Sequence, residues 1–132
     1  MALPLMLGAA MTNWSVGWWL ILMAFVTGAL LGMFFHDERF MGGYDSFRRR
    51  LARLGHISLA ALGMLNVLFA VSTPVVSTWP QLLAPWGLIV GGISMPIVCF
   101  LTAWKRNFRH LFFIPVTALI VGICQTLQNG AP

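Results

Sequence analysis

The chain has 132 residues, of which 59% are hydrophobic and only 8% are charged, and its mean hydropathy is +0.85. A soluble domain carries about a quarter charged residues, so this composition excludes one, and the length allows a single domain. The net charge of +5 would suggest nucleic acid in a soluble protein. Here the basic residues form two short clusters between apolar stretches, a pattern typical of membrane orientation. We therefore expect no nucleic-acid partner.

Four apolar stretches are long enough to cross a hydrocarbon core of about 30 Å, which needs roughly 17 to 25 helical residues. They cover residues 14–35, 54–72, 82–104 and 110–127. The sequence therefore predicts an all-α integral membrane four-helix bundle, with residues 1–132 forming one transmembrane domain. Residues 1–11 are too few to span and lack the basic region of a cleaved signal, so we expect a retained segment at the outer interface.

All the lysines and arginines fall on one side of the predicted membrane. Basic residues in short loops stay in the cytoplasm. We therefore expect both termini and the loop 72–81 on the non-cytoplasmic side, in a multi-pass protein of the bacterial inner membrane. The basic residues are Arg39, Arg48, Arg49, Arg50, Arg53, Lys105, Arg106 and Arg109.

The basic loops are predicted to contact anionic lipid headgroups, and docking of a partner is the alternative. Gly42 and Gly43 break the helix, and Asp45 or Ser46 can cap the next one, so the second helix should begin near Ser46. Its first turns then carry several of these side chains. The predicted headgroup or docking residues are Arg48, Arg49, Arg50, Arg53, Lys105, Arg106 and Arg109.

Small residues should mark the helix interfaces, because apolar contact does not distinguish lipid from protein inside a bilayer. Each span has one row of mainly small residues, here called its seam, whose members are three or four positions apart and so lie on one face of the helix. One seam per helix predicts a compact left-handed bundle. Pro96 should kink the third helix. The seams are Gly17, Ile21, Ala24, Gly28, Gly32 and His36; Arg49, Arg53, His56, Ala60, Gly63, Asn66 or Val67, and Ala70; Ala84, Gly87, Gly91 and Ser94; and Ala118, Gly122 and Gln125.

Few polar groups lie within the spans. No Asp, Glu, Lys or Arg falls in their apolar parts, which argues against a transport pathway. Asn66 is expected to form a hydrogen bond between helices worth about 0.6–2 kcal/mol, with a ligand or cofactor contact as the alternative. Cys99 and Cys124 should lie about 15–20 Å apart along the membrane normal, too far for a disulfide.

The histidines are the best functional lead. His36, His56 and His110 should lie near the cytoplasmic boundary at similar depth. Haem b with two histidine ligands needs two facing rings, which His56 could form with His36 or His110, while nearby arginines hold propionates or a quinone head group. A metal site and ordinary interfacial histidines are the alternatives. No Cys-x-x-Cys-His or His-Glu-x-x-His motif occurs.

The sequence favours a non-catalytic small subunit or assembly factor of a larger bacterial inner-membrane complex, with an energy-converting complex as the preferred setting. Its expected partners are the lipid bilayer and other membrane subunits, and no cofactor is expected. Two alternatives stay open. One is an electron-transfer module that binds haem b or a quinone at His36, His56, His110 and Asn66. The other is a small channel or transporter formed by oligomerisation.

Overall fold

The computed structural model describes residues 3–72 and 82–129, and this part of the chain is all-helical. Four helices are long and apolar enough to span a membrane, as in a multi-pass membrane protein. The α-helices are α1 (Leu3–Phe35), α2 (Phe47–Ser72), α3 (Leu83–Trp104) and α4 (Phe113–Asn129). The fourth candidate span, Arg106–Gln128, also includes the 3₁₀ segment that precedes α4.

The first helix is longer than its predicted span. It runs without interruption over 33 residues, about 50 Å at the rise of an α-helix. The described part of segment 1–11 is therefore helical and continuous with the span, and its place at the outer interface stays a prediction. Pro4 stands in the first turn, where proline costs no hydrogen bond, so it does not interrupt the helix.

The predicted start of the second helix near Ser46 is confirmed. Ser46 Oγ accepts a hydrogen bond of 3.2 Å from the backbone N–H of Arg49, which is the usual N-cap contact. The same hydroxyl donates to the carbonyl of Met41 at 2.8 Å. Gly42 and Gly43 have φ angles of 89° and 97°, so the chain turns here through conformations that glycine adopts readily.

The helices pack in chain order, α1 on α2, α2 on α3 and α3 on α4, with a smaller contact between α1 and α3. The outer helix α4 packs on α3 and does not close the bundle against α1. The expected single seam per helix is wrong for α3. A Cβ on Gly91 would lie 2.4 Å from Leu119 of α4, whereas one on Gly92 would lie 2.9 Å from Asn66 of α2. Adjacent positions on a helix point about 100° apart, so this glycine pair serves two interfaces.

Several predicted seam glycines are confirmed. A Cβ on Gly63 would lie 2.8 Å from the carbonyl oxygen of Gly17, and one on Gly87 would lie 2.8 Å from Cα of Gly122. Real side chains do not approach backbone so closely, so these positions require glycine. Gly32 is an exception, since nothing lies within 4 Å of a Cβ built there. It faces away from the other helices.

The fourth α-helix begins three residues after residue 110, where the fourth span was predicted to begin, although the candidate span Arg106–Gln128 includes that residue. Residues Arg106–Phe112 form a 3₁₀ helix, and α4 starts at Phe113. His110 therefore lies in this connecting segment. Pro115 falls in the first turn of α4, where it is tolerated, whereas Pro96 is buried inside α3.

Candidate functional site

His56 of α2 packs against Gly28 of α1. A Cβ on Gly28 would be 2.8 Å from Cε1 of the imidazole, so the absence of a side chain there lets the ring rest on the α1 backbone. On its other side, Nδ1 of His56 lies 3.1 Å from Oγ1 of Thr27. Sequence reasoning missed Thr27, although a hydroxyl residue beside a seam glycine was a usable signal.

The hydrogen bonds of Thr27 assign the tautomer of His56. The Thr27 hydroxyl donates to the carbonyl of Met23 at 2.8 Å and lies 3.2 Å from that of Ala24. A hydroxyl has one proton, and a threonine inside a helix commonly gives it to the carbonyl four residues back. Oγ1 therefore accepts from Nδ1–H of His56. In the neutral ring Nε2 is then an acceptor, and within residues 3–72 and 82–129 no group forms a hydrogen bond with it.

The imidazole borders a groove of about 540 Å³ between α1 and α2. This volume is within the range of small-molecule sites, about 300–1,000 Å³. A Cβ on Gly28, which also lines the groove, would lie 3.3 Å from Nε2 of His56 and 3.6 Å from Nδ1. The lining residues are Ile21, Ala24, Phe25, Gly28, Ala29, His56, Ala60 and Met64.

The other two histidines do not join His56. His36 follows α1 and His110 lies in the 3₁₀ segment, and both are exposed. Neither lines the groove or shares a hydrogen bond with His56. The described residues contain no group of three or more His, Cys, Asp or Glu side chains that could hold a metal ion.

Asn66 links three helices. Its Oδ1 accepts a hydrogen bond of 2.8 Å from Nδ2 of Asn13, and its own Nδ2 lies 3.2 Å from the carbonyl of Leu88 on α3 and 2.9 Å from that of Leu62. Asn13 also donates to the carbonyl of Pro85 at 3.2 Å. Both asparagines are fully buried. The predicted hydrogen bond between helices is therefore present, and Asn13, placed outside the first span by sequence, is its partner.

Two arginines at the start of α2 bind the ends of the flanking helices. Arg49 donates to the carbonyl of Phe35, the last residue of α1, and its guanidinium lies 4.4 Å from the centre of the Phe35 ring. Arg48 Nε donates to the carbonyl of Ala103 in the last turn of α3 at 2.9 Å. The last carbonyls of a helix lack partners within it and carry partial negative charge, so cations are favoured there.

Arg49 consequently differs from the expected headgroup contact, because it is only 2% exposed and faces protein. Arg53 donates to the carbonyl of Tyr44 at 3.1 Å and lies over its ring. Headgroup or partner docking stays a prediction for the exposed basic residues. Those without a described side-chain contact are Arg50, Lys105 and Arg109, while the Arg106 guanidinium lies 4.9 Å from the centre of the Phe47 ring.

The cysteines carry no site chemistry that the structure reveals. Cys99 is buried in α3, Cys124 is exposed on α4, and both are free thiols.

Comparisons of the chain with protein-family models, curated proteins and solved structures gave no match. Its function is therefore inferred from the chemistry and packing of its own residues.

Proposed function

We propose that this chain is a non-catalytic small subunit or assembly factor of a larger complex in the bacterial inner membrane, with an energy-converting complex as the preferred setting. Its partners in this role are the lipid bilayer and other membrane subunits. The basic end of the helices lies in the cytoplasm, as the positive-inside rule predicts.

The proposal rests chiefly on the packing of the outer helices. Within its apolar span, α1 is buried along one strip at steps of four, three and four residues, formed by Asn13, Gly17, Leu20 and Ala24. The rest of its surface is open to lipid or to another protein. Helix α4 likewise makes its main contact with α3 and little contact with α1 or α2. Each outer helix therefore offers a broad apolar face to its surroundings.

Gly32 favours protein over lipid on the open face of α1. A glycine inside a helix costs about 1 kcal/mol relative to alanine, and no contact among the described residues uses the small size of Gly32. In membranes, small residues let a second helix approach closely. Ala29, exposed one turn away, extends this small surface.

The polar groups inside the protein also support a structural role. Asn13 and Asn66 bond each other and backbone carbonyls, while Arg48 and Arg49 bind helix ends. Transport pathways usually contain charged side chains within the membrane, and no Asp, Glu, Lys or Arg falls in the apolar parts of the spans of this sequence.

The test is purification of the tagged full chain, expressed at native level, in a mild detergent followed by mass spectrometry. We expect one integral membrane protein to copurify in a constant ratio. Gly32→Leu should reduce that ratio without disturbing the chain's own fold, since the position is open. Ala61→Leu, on the exposed face of α2, is the matched control and should leave it unchanged.

Each competing function has its own outcome. A chain that purifies alone as a monomer would contradict the subunit proposal. A homo-oligomer that passes ions or solutes in liposomes would favour the channel or transporter. A Soret band reducible by dithionite, lost in His56→Ala, would favour the haem module.

A further inference from the structure

The subunit role does not account for the free acceptor at His56. With the proton assigned to Nδ1, which lies 3.1 Å from Oγ1 of Thr27, Nε2 carries a lone pair with no partner among the described residues. Buried and partly buried polar groups are normally hydrogen-bonded, and an unused acceptor beside a cavity is a recognition element for a ligand that donates.

The groove beside this acceptor suits a flat apolar molecule. Ala24, Gly28 and Ala60 contribute little bulk, so the space between α1 and α2 stays open. Phe25 and Met64 flank it and are 75% and 64% exposed, so the groove opens on the surface that faces the membrane. Aromatic rings and methionine sulfur both make favourable contacts with an aromatic ring.

We propose that this groove binds a membrane-soluble aromatic hydroxyl compound of the quinol class, whose hydroxyl donates a hydrogen bond to Nε2 of His56. The oxidised quinone has carbonyl oxygens and no hydroxyl on its ring, so it would oppose one acceptor to another. The site therefore selects the reduced form. This inference concerns the groove beside His56, whereas the subunit role is tested at Gly32, and Ala29 borders both surfaces. The binding test therefore uses the chain without partner proteins.

The binding test uses the full chain in lipid nanodiscs with decylubiquinol held reduced under anaerobic conditions. Side-chain ¹⁵N spectra are recorded in a His36→Gln/His110→Gln background, which leaves His56 as the only histidine. Before ligand is added, Nε2 should show the unprotonated resonance and Nδ1 the protonated one. Decylubiquinol should shift the Nε2 resonance saturably, whereas decylubiquinone should bind about tenfold more weakly, as expected for one lost hydrogen bond.

Three variants locate the interaction. His56→Phe should weaken decylubiquinol binding, followed by ligand fluorescence, by about tenfold. Ala29→Leu fills the groove from an exposed position and should weaken it as well, even if His56→Phe folds poorly. Ala61→Leu, which is exposed but outside the groove, should bind like the parent protein.

Thr27→Val tests the assignment of the acceptor. Valine keeps the shape of threonine but frees Nδ1, so the ring can carry its proton on Nε2. Affinity for decylubiquinol should fall while that for decylubiquinone rises.

A saturable shift with 1-decanol equal to that with decylubiquinol would overturn the preference for an aromatic hydroxyl. Equal binding of both decyl compounds, or no change in His56→Phe and Ala29→Leu, would overturn the site.

Discussion

The side-chain amide of Asn13 donates a hydrogen bond of 2.8 Å to Oδ1 of Asn66, and both residues are fully buried. Through the carbonyls of Pro85 and Leu88, the same two amides also reach α3. This pair is therefore the point at which α1, α2 and α3 are joined by polar contacts. Its Asn13 Oδ1 has no described partner, so the pair is not fully satisfied.

A double-mutant cycle measures this contact. Asn66→Leu should destabilise the protein more than Asn13→Leu, because Asn66 forms hydrogen bonds to α1, α3 and its own helix. Asn13→Leu also removes a buried oxygen that has no partner, which offsets part of its cost. The coupling between the two changes should be about 0.6–1.7 kcal/mol, the range for hydrogen bonds between membrane helices. The free energy of unfolding in mixed detergent micelles is measured for the parent protein, the two single variants and the double variant. A coupling near zero would mean that the two amides act independently.

Three glycines of the first two helices should rank in a defined order when changed to leucine. Gly63→Leu should be the most damaging, since a Cβ there meets backbone atoms of Gly17 and Ile21. Gly28→Leu should be intermediate, because it meets the imidazole of His56, which can turn away. Gly32→Leu should leave stability within about 0.5 kcal/mol, as at other open surface positions.

Thermal unfolding in detergent measures this order, and His56→Ala combined with Gly28→Leu is the control. That double change should be less damaging than Gly28→Leu alone, since the obstructing ring is gone. Equal tolerance of Gly63→Leu and Gly32→Leu would remove the seam assignment.

The arginines at the start of α2 should separate into two kinds. Arg49→Met should cost about 1–3 kcal/mol of stability, because the carbonyl of Phe35 loses its donor in a buried setting. Arg50→Met, an exposed neighbour, should cost less than about 0.5 kcal/mol. Chemical unfolding of the two variants in the same detergent compares them. A smaller effect at Arg49 than at Arg50 would contradict the helix-end contact.

The orientation is tested by cysteine labelling. In a Cys99→Ala/Cys124→Ser background, Ser77→Cys should react with an impermeant thiol reagent added to intact cells, while Asp45→Cys should react only after lysis. Asp45 is preferable to Ser46, because Ser46 caps α2. Ser77 lies outside the described residues. The reverse labelling pattern would overturn the orientation.

Removing Arg50, Lys105 and Arg109 together should give a mixture of both orientations, since each of these residues contributes about 1 kcal/mol near anionic lipid.

Features set by local chemistry were predictable from the sequence. The glycine pair at 42–43 and the hydroxyl of Ser46 act within one turn of chain, so the start of α2 followed directly. Gly63 and Gly122 were recognised because small residues repeat at helical spacing. The ends of three spans, at Phe35, Ser72 and Trp104, were also placed correctly.

Features set by the register between helices were not predictable. Thr27 became the partner of His56 only once the α1–α2 crossing was known. Asn13 was missed because the first span was begun at residue 14, although the helix continues through it. The sequence also does not show which arginines of a run reach lipid and which bind the end of a neighbouring helix, as Arg49 does.

The chain-order packing of the helices has a consequence for biogenesis. Because α2, α3 and α4 each pack extensively on the helix before them, every newly made helix after the first finds a packing partner already in the membrane. The two hydrogen bonds that Asn13 donates can form as soon as α2 and the start of α3 have been inserted. Assembly can then proceed during synthesis, and α4 is added last to a unit whose central contacts are complete.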